Sequence, residues 1–466
     1  MNARLLVYAL GLLCTSVVVW HVRSQRGRQI ILLGASCGFY ASWGPWFLGA
    51  LVGSSLVNYV LGRQIRRTPT RPWLLLGIAF NVALLGFFKY LPGIVSQIVG
   101  QTSTFSRIVL PVGMSFWTFQ ALSYLLDLYR EKELDPTLLE FCLYMTFAPT
   151  VLSGPICRLP DMLPQFREYR PLTRAGAQAA AQRIGLGALM MGLAQLLGAG
   201  LRPGHGINNG FDGAGMLAGS DVWLLAFGYG FQLFFDFAGY SHIAIGAASL
   251  LGIRLAENFD GPYRSMSPSV FWTRWHMSLS SWIRDYVFLP LATMRREMWW
   301  RHAALVLSMI IFGLWHKGAP LFVIWGTYHG ILLVLHRLWQ RLQHDLNFRW
   351  EGTAQSAFSW ALTFAVMCLG WIFFRASGVK QALGMFATLL SLASYVRPVL
   401  PTDLYFLVAT LILGYFATTA LSARTDAESP VLSWIPMELR YACYAVALYL
   451  IVFRAAQPQA FIYSQF

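Results

Sequence analysis

The stretch IFGLWHKGAPLFVIWGTYHG, residues 311–330, is aliphatic and aromatic for nearly its whole length, yet it carries His316, Lys317 and His329. Ionisable groups at membrane depth are costly and by default point to function. His316 closes the apolar run 303–315, and a Gly-Ala-Pro break follows that sets a turn between two helices. Non-helical backbone at that depth is tolerated only inside protein or against a cavity. A neutral imidazole there can take the proton of an attacking hydroxyl while a thioester is held beside it, a general-base role worth about 10²- to 10⁴-fold. The alternative is a histidine hydrogen-bonded to a carbonyl between helices, as most buried polar groups are. Position alone leaves both open.

Three further groups belong beside this one. His276, in WTRWHMSLSSW, is either a second functional imidazole or a histidine settled among Trp and Arg at a membrane surface. Asp236, in FQLFFDFAGYSHIAIG, is a carboxylate flanked by Phe on both sides and needs a partner; pairing with an Arg to hold helices together is the preferred reading. His329 lies thirteen residues after His316 and could share its cavity, whereas His21, His302, His336 and His344 lie beside basic loops. No HExxH or other close ligand spacing occurs, so a metal site has little support. A lipase-type GxSxG is also absent, and acyl chemistry need not use a serine of this chain.

What must position these groups is a membrane bundle. Of 466 residues, 56% are hydrophobic and 12% charged, against roughly 25% charged in soluble domains. The 18 Trp, 20 Tyr and 33 Phe suffice for aromatic belts at both headgroup regions. The net charge of +15 comes from Arg in short loops between apolar runs, a positive-inside pattern rather than a nucleic-acid surface. Six Cys without CxxC spacing read as small buried hydrophobes. Candidate spans are 5–20 (a retained first span rather than a cleaved signal), 30–42, 46–61, 73–91, 108–128, 138–152, 184–201, 222–251, 303–315, 320–338, 358–374, 404–421 and 441–453. The expectation is an all-α polytopic membrane protein of about 11 to 13 transmembrane or re-entrant helices, with 1–466 as a single domain. Basic loops at 23–28, 63–71, 158–174, 295–301 and 337–349 are expected in the cytoplasm, and the Gly-rich 200–220 outside. Residues 257–294 are too polar to span and too aromatic for a free loop. They lie along the interface as an amphipathic helix or fold inward to line a cavity.

The stretches LPVGMSFWTFQALSYLLDLYR (110–130), FAPTVLSGPICR (147–158), FQLFFDFAGYSHIAIG (231–246), ENFDGPYRSMSPSVFWTRWHMSLSSWIRDYVFLPL (257–291), GLWHKGAPLFVIWGTYHG (313–330), GWIFFRA (370–376) and FIYSQF (461–466) thread nearly the whole chain. Together they resemble the bacterial membrane-bound O-acyltransferase (MBOAT) family, and most of all its alginate O-acetyltransferase branch. The resemblance implies a bundle around a central tunnel, entered by an acyl donor from the cytoplasm and by the acceptor from outside. It implies His316 as catalytic base and His276 as a second, supporting catalytic histidine. Trp275, Arg274, Arg284 and Asp285 would shape the cytoplasmic mouth, with Lys317, His329 and Asp236 as further tunnel or structural support. Arg near that mouth suits a phosphate-bearing donor such as acetyl-CoA.

No permanent cofactor and no metal are implied. The partners implied are a cytoplasmic acyl thioester, an exported polysaccharide acceptor, membrane lipid and a periplasmic hydrolase-like (SGNH-type) acetyltransferase, with the chain in the bacterial inner membrane. The chain departs from the alginate-type pattern at His242, where relatives usually have Asp, and at Lys317, where they have a small residue. FDFAGY, LSGP and RWHMSLS lean toward the D-alanyl transferase branch that modifies teichoic acids, and a peptidoglycan acceptor is a further alternative. A rival from another class is a proton-coupled transporter with His316, His329 and Asp236 as relay, which predicts inverted repeats; none is visible between the halves. A membrane scaffold for a secretion complex is the non-catalytic reading.

Overall fold

The computed structural model describes residues 3–99, 104–130, 133–168, 171–213, 217–347 and 351–422. The candidate span 441–453, the motif FIYSQF and Cys443 lie outside the described residues. No strand forms among those residues, and one isolated antiparallel bridge joins Phe259 to Trp275. In chain order the α-helices are α1 (Ala3–His21), α2 (Gln25–Ala41), α3 (Pro45–Arg67), α4 (Arg71–Leu85), α5 (Leu91–Val99), α6 (Met114–Arg130), α7 (Leu138–Thr146), α8 (Ala148–Val151), α9 (Leu159–Arg167), α10 (Arg174–Ala199), α11 (Ile207–Asp212), α12 (Gly219–Leu250), α13 (Pro268–Arg274), α14 (Met277–Ile283), α15 (Leu289–Thr293), α16 (Met298–His316), α17 (Pro320–Asp345), α18 (Thr353–Arg375), α19 (Val379–Leu390) and α20 (Thr402–Ser422). Among the described residues, eight helices are long and apolar enough to cross a membrane, as a polytopic protein requires.

The chain divides into two compact units, residues 1–184 with 240–257, and residues 185–239 with 258–466. In the first unit the core helix is α6, in which Met114 to Leu125 are all buried. The run 108–128, read from sequence as one span, starts its helix late because Pro111 and a left-handed Gly113 (φ 80°) precede it. A Cβ on Gly113 would stand 1.9 Å from the Val151 carbonyl, so only glycine fits. Gly62 of α3 and Gly77 of α4 lie against Tyr124 and Leu125 of α6, where a Cβ would come within 2.3 and 2.5 Å. Asn58 and Asn81 exchange amide hydrogen bonds at 3.1 and 2.7 Å and join α3 to α4. The run 138–152 breaks at Phe147 into α7 and α8, since Pro149 can sit only in a first helical turn.

In the second unit the helices pack through missing side chains. A Cβ on Gly313 of α16 would lie 2.1 Å from the Phe322 carbonyl, and one on Gly326 of α17 would lie 2.3 Å from the Met309 carbonyl. Small residues at these positions let two membrane helices touch backbone to backbone. Gly370 of α18 makes room for a side chain instead, because a Cβ there would sit 2.5 Å from His329 Nε2. Gly230 of α12 leaves room for Trp371 and for Tyr263, whose hydroxyl donates to the Gly230 carbonyl at 2.7 Å.

Candidate functional site

His316 ends α16, and Pro320 opens α17, with Lys317 between them in extended backbone. Lys317 is exposed, while its amide closes the last turn onto the Gly313 carbonyl at 3.3 Å. The glycine contacts of α16 with α17 hold the hairpin tightly, so the two imidazoles it carries have fixed bases. His316 is 1% exposed. Its ring stacks on Phe312 at 5.1 Å and meets Trp315 at 4.6, Phe374 at 5.0, Trp325 at 5.5 and Phe322 at 6.3 Å. The aromatic side chains close over the imidazole rather than leaving it in an open passage.

His329 is fully buried, edge-on to Trp325 at 4.9 Å and to Trp272 at 5.2 Å. Trp325 therefore stands between the two hairpin histidines, touching both. The sequence allowed His329 to share a cavity with His316; in the second unit an indole separates the two rings instead.

Residues 257–294 fold inward instead of lying as one amphipathic helix. Pro268 starts α13, Ser267 caps it through the Val270 amide at 3.2 Å, and Trp272, Trp275 and Trp282 are all buried. The break between α13 and α14 falls on His276, which adopts the left-handed conformation (φ 44°, ψ 54°). Asn258 holds it there. Its Oδ1 accepts from the Ser278 amide at 3.3 Å and the Ser278 hydroxyl at 2.8 Å, and lies 3.1 Å from His276 Nδ1. An oxygen that accepts from a backbone amide fixes the carboxamide orientation, so Nδ1 carries the proton and Nε2 the lone pair. Burial pushes the His276 pKa down to about 3 and keeps the ring neutral. Phe237 of α12 meets its ring at 4.6 Å.

The remaining sequence candidates divide by exposure. Trp275 is buried, stacked on Phe271 at 5.5 Å and against Trp371 at 4.8 Å. Arg274 and Asp260 form a loose exposed pair at 3.7 Å. Arg284 and Asp285 pair with each other at 2.7 Å, with the Arg side chain 61% exposed. They open a single π-turn, Arg284–Phe288, a distortion frequent at functional sites. Asp236 is buried in α12, one turn beyond Gln232. The fold thus brings His316, His329, Trp275 and their aromatic neighbours into one connected cluster, and keeps Arg284 and Lys317 exposed with Arg274 and Asp285 half-buried.

Four residues of that cluster carry no role in the sequence reading. Trp272 touches Phe312, Trp325 and His329; Trp371 touches Trp275, Trp325 and His329; Phe374 covers His316; and Asn258 orients His276. Trp371 and Phe374 lie in GWIFFRA, a stretch whose apolar periodicity gives no hint that it faces the histidines. Among the described residues no group of three or more His, Cys, Asp or Glu is arranged to hold a metal ion.

Residues 65–379, which include α16, α17 and the His276 segment, match the model of MBOAT, the membrane-bound O-acyltransferase family. The chain belongs to this family. It is 31% identical over 435 residues to a protein named probable alginate O-acetylase AlgI from Pseudomonas aeruginosa, covering 90% of this chain and 81% of that one. It is 31% identical over 417 residues to the peptidoglycan O-acetyltransferase of Helicobacter pylori, covering 82% and 78%. The teichoic acid D-alanyltransferase of Streptococcus thermophilus is 33% identical over 281 residues, covering 57% and 66%. This MBOAT chain is accordingly a multi-pass membrane O-acyltransferase, and the transporter and scaffold readings fall away.

Proposed function

We propose that the enzyme transfers an acetyl group from acetyl-CoA, bound from the cytoplasmic side of the bacterial inner membrane, toward hydroxyls of an exported polysaccharide. A periplasmic SGNH-hydrolase-like partner would complete delivery to the sugar. The preference for acetyl over D-alanyl rests on coverage, because the O-acetylases align with most of this chain and the D-alanyltransferase with little more than half. A peptidoglycan acceptor remains the second reading, favoured by the equal identity of the Helicobacter enzyme.

In this reading His316 is the base. It removes the hydroxyl proton as the acceptor oxygen attacks the thioester carbon, and returns that proton to the departing thiolate of CoA. The observation that carries the reading is its position: an imidazole at the end of a membrane-length helix, 1% exposed and held among aromatic rings. His276, with Nδ1 occupied by Asn258, presents Nε2 as the second catalytic nitrogen. Trp275 walls the cluster and Asp236 is support within α12, while Arg274 and Arg284 are the cationic groups available to the donor's phosphates, with Asp285 holding the Arg284 guanidinium and Lys317 at the far end of the α16–α17 hairpin. The test is ester acetyl on exported polymers, measured by mass in cells producing equal amounts of wild type and His316→Ala. Loss by about 10²- to 10⁴-fold is expected for removal of a general base; unchanged acetylation rules the base out.

A further inference from the structure

Trp272, Trp325 and His329 are in mutual ring contact, at 5.8, 5.2 and 4.9 Å between centroids. All three are buried. Four of their nitrogens, Trp272 Nε1, Trp325 Nε1 and both ring nitrogens of His329, are buried with no hydrogen-bond partner. Most buried polar atoms in native proteins are satisfied, so four orphans on three touching side chains call for a guest. The donor count defines it. Each indole can only donate, and a neutral imidazole offers one donor and one acceptor, which makes three N–H groups against one lone pair. Such a set fits an oxygen that accepts, and fits best one that gains negative charge.

We infer that these three side chains form the subsite for the acyl carbonyl oxygen, an inference that rests on the acyl-transfer reading above. His329 Nε2 lies against the Gly370 backbone, where a Cβ would come within 2.5 Å, so Nδ1–H is the imidazole donor to the guest. Trp325 also touches His316, which sets the carbonyl subsite one indole from the base. As the acceptor oxygen bonds to the thioester carbon, the carbonyl π electrons move to its oxygen, and the three N–H groups hold the resulting oxyanion. When the C–S bond breaks, those electrons re-form the carbonyl, and the thiolate leaves with the proton from His316. Fixed donors aimed at developing charge lower the barrier without tightening the ground state.

Trp325→Phe and Trp272→Phe delete one N–H each and keep a ring. In membranes containing the full chain and the cell's own acceptor, with acetyl-CoA as donor, each is expected to lower kcat, by about 10²-fold where the lost donor is fully used. KM for acetyl-CoA and the thermal midpoint stay within the wild-type range. His329→Gln, which retains a donor, keeps more activity than His329→Phe. An unchanged kcat in both tryptophan variants, or a fall in midpoint with kcat per folded enzyme preserved, overturns the subsite and assigns the trio to packing. Should one tryptophan variant fail to accumulate, the other and the Gln-against-Phe comparison decide. The base reading fails separately, if His316→Ala retains turnover; wild type inert toward acetyl-CoA refutes the donor assignment instead.

Discussion

His276 is a histidine in a conformation that glycine and asparagine tolerate best, and its orientation depends on one carboxamide eighteen residues earlier. Left-handed backbone costs a non-glycine residue about 1–2 kcal/mol, most for β-branched side chains. His276→Asn is therefore expected to accumulate in membranes at a higher thermal midpoint than His276→Val, although both lose the imidazole. Asn258→Ala removes the acceptor shared by His276 and Ser278, and is expected to destabilise the fold by about 1–3 kcal/mol, as buried unsatisfied donors do. The same ring makes stability depend on pH. Its pKa is about 3 when folded, against about 6.5 when exposed, so the unfolded chain binds the proton first. The contribution is complete above about pH 6.5 and is lost as pH falls toward 3. His276→Gln should flatten the decline of thermal midpoint across that window; an unchanged slope would place the ring in water. Residue types were legible here, because WTRWHMSLSSW stands out from its apolar surroundings. The Asn258 partner was not, since nothing local marks a contact that a chain reversal creates.

At the scale of elements, the hairpin of α16 and α17 sets both histidines, and glycines set the hairpin. Gly326→Ala must push a methyl toward the Met309 carbonyl, which belongs to a helix backbone and cannot swing away. Overpacking of this kind costs about 1–3 kcal/mol, so a lowered midpoint and reduced acetylation are expected together. Gly370→Ala meets the His329 ring instead of backbone. It should impair turnover with less effect on the midpoint, because a side chain can shift where a carbonyl cannot. Gly34→Ala, with nothing within 4 Å of the added methyl, is the control and should leave both unchanged. Helix existence was readable from apolar runs, and the Gly-Ala-Pro break marked the turn between α16 and α17. Which glycines serve close approach was not readable, since Gly34, Gly313 and Gly326 look alike until the facing helix is known. The indoles of 257–294 left two placements open for the same reason: composition gives amphipathicity, while only packing against α12 and α17 chooses the inward one.

For the molecule as a whole, membrane class followed from composition, and orientation follows from charge once the helix ends are paired. In the second unit α17 and α18 run antiparallel, shown by Phe322 against Phe374 at one end and the Tyr328 hydroxyl on the Val366 carbonyl further along. Arg375 then lies at the end where Asp212 accepts its guanidinium at 2.8 Å, His205 meets Asp403 at 3.0 Å, and Asp221 accepts from the Val399 and Leu400 amides. Residues 200–213 and 376–401 thus gather at that end. The opposite end carries Arg295, Arg296 and Arg301 before and within the first turn of α16, and Arg337 and Arg341 in the last turns of α17. Cationic flanks resist translocation, so the Arg-rich end is expected in the cytoplasm and the His205 end outside. In a background with all six cysteines replaced, Pro203→Cys should react with a membrane-impermeant maleimide applied from outside, whereas Arg296→Cys should react only after the membrane is opened. Both positions are exposed, so access to the reagent depends on the side of the membrane. The Arg284–Phe288 turn lies at the Arg-rich end, with Arg337 over the Phe288 ring at 5.3 Å, so the reverse labelling would invert the second unit and move Arg284 away from the compartment that holds acetyl-CoA, which would end the proposed donor route.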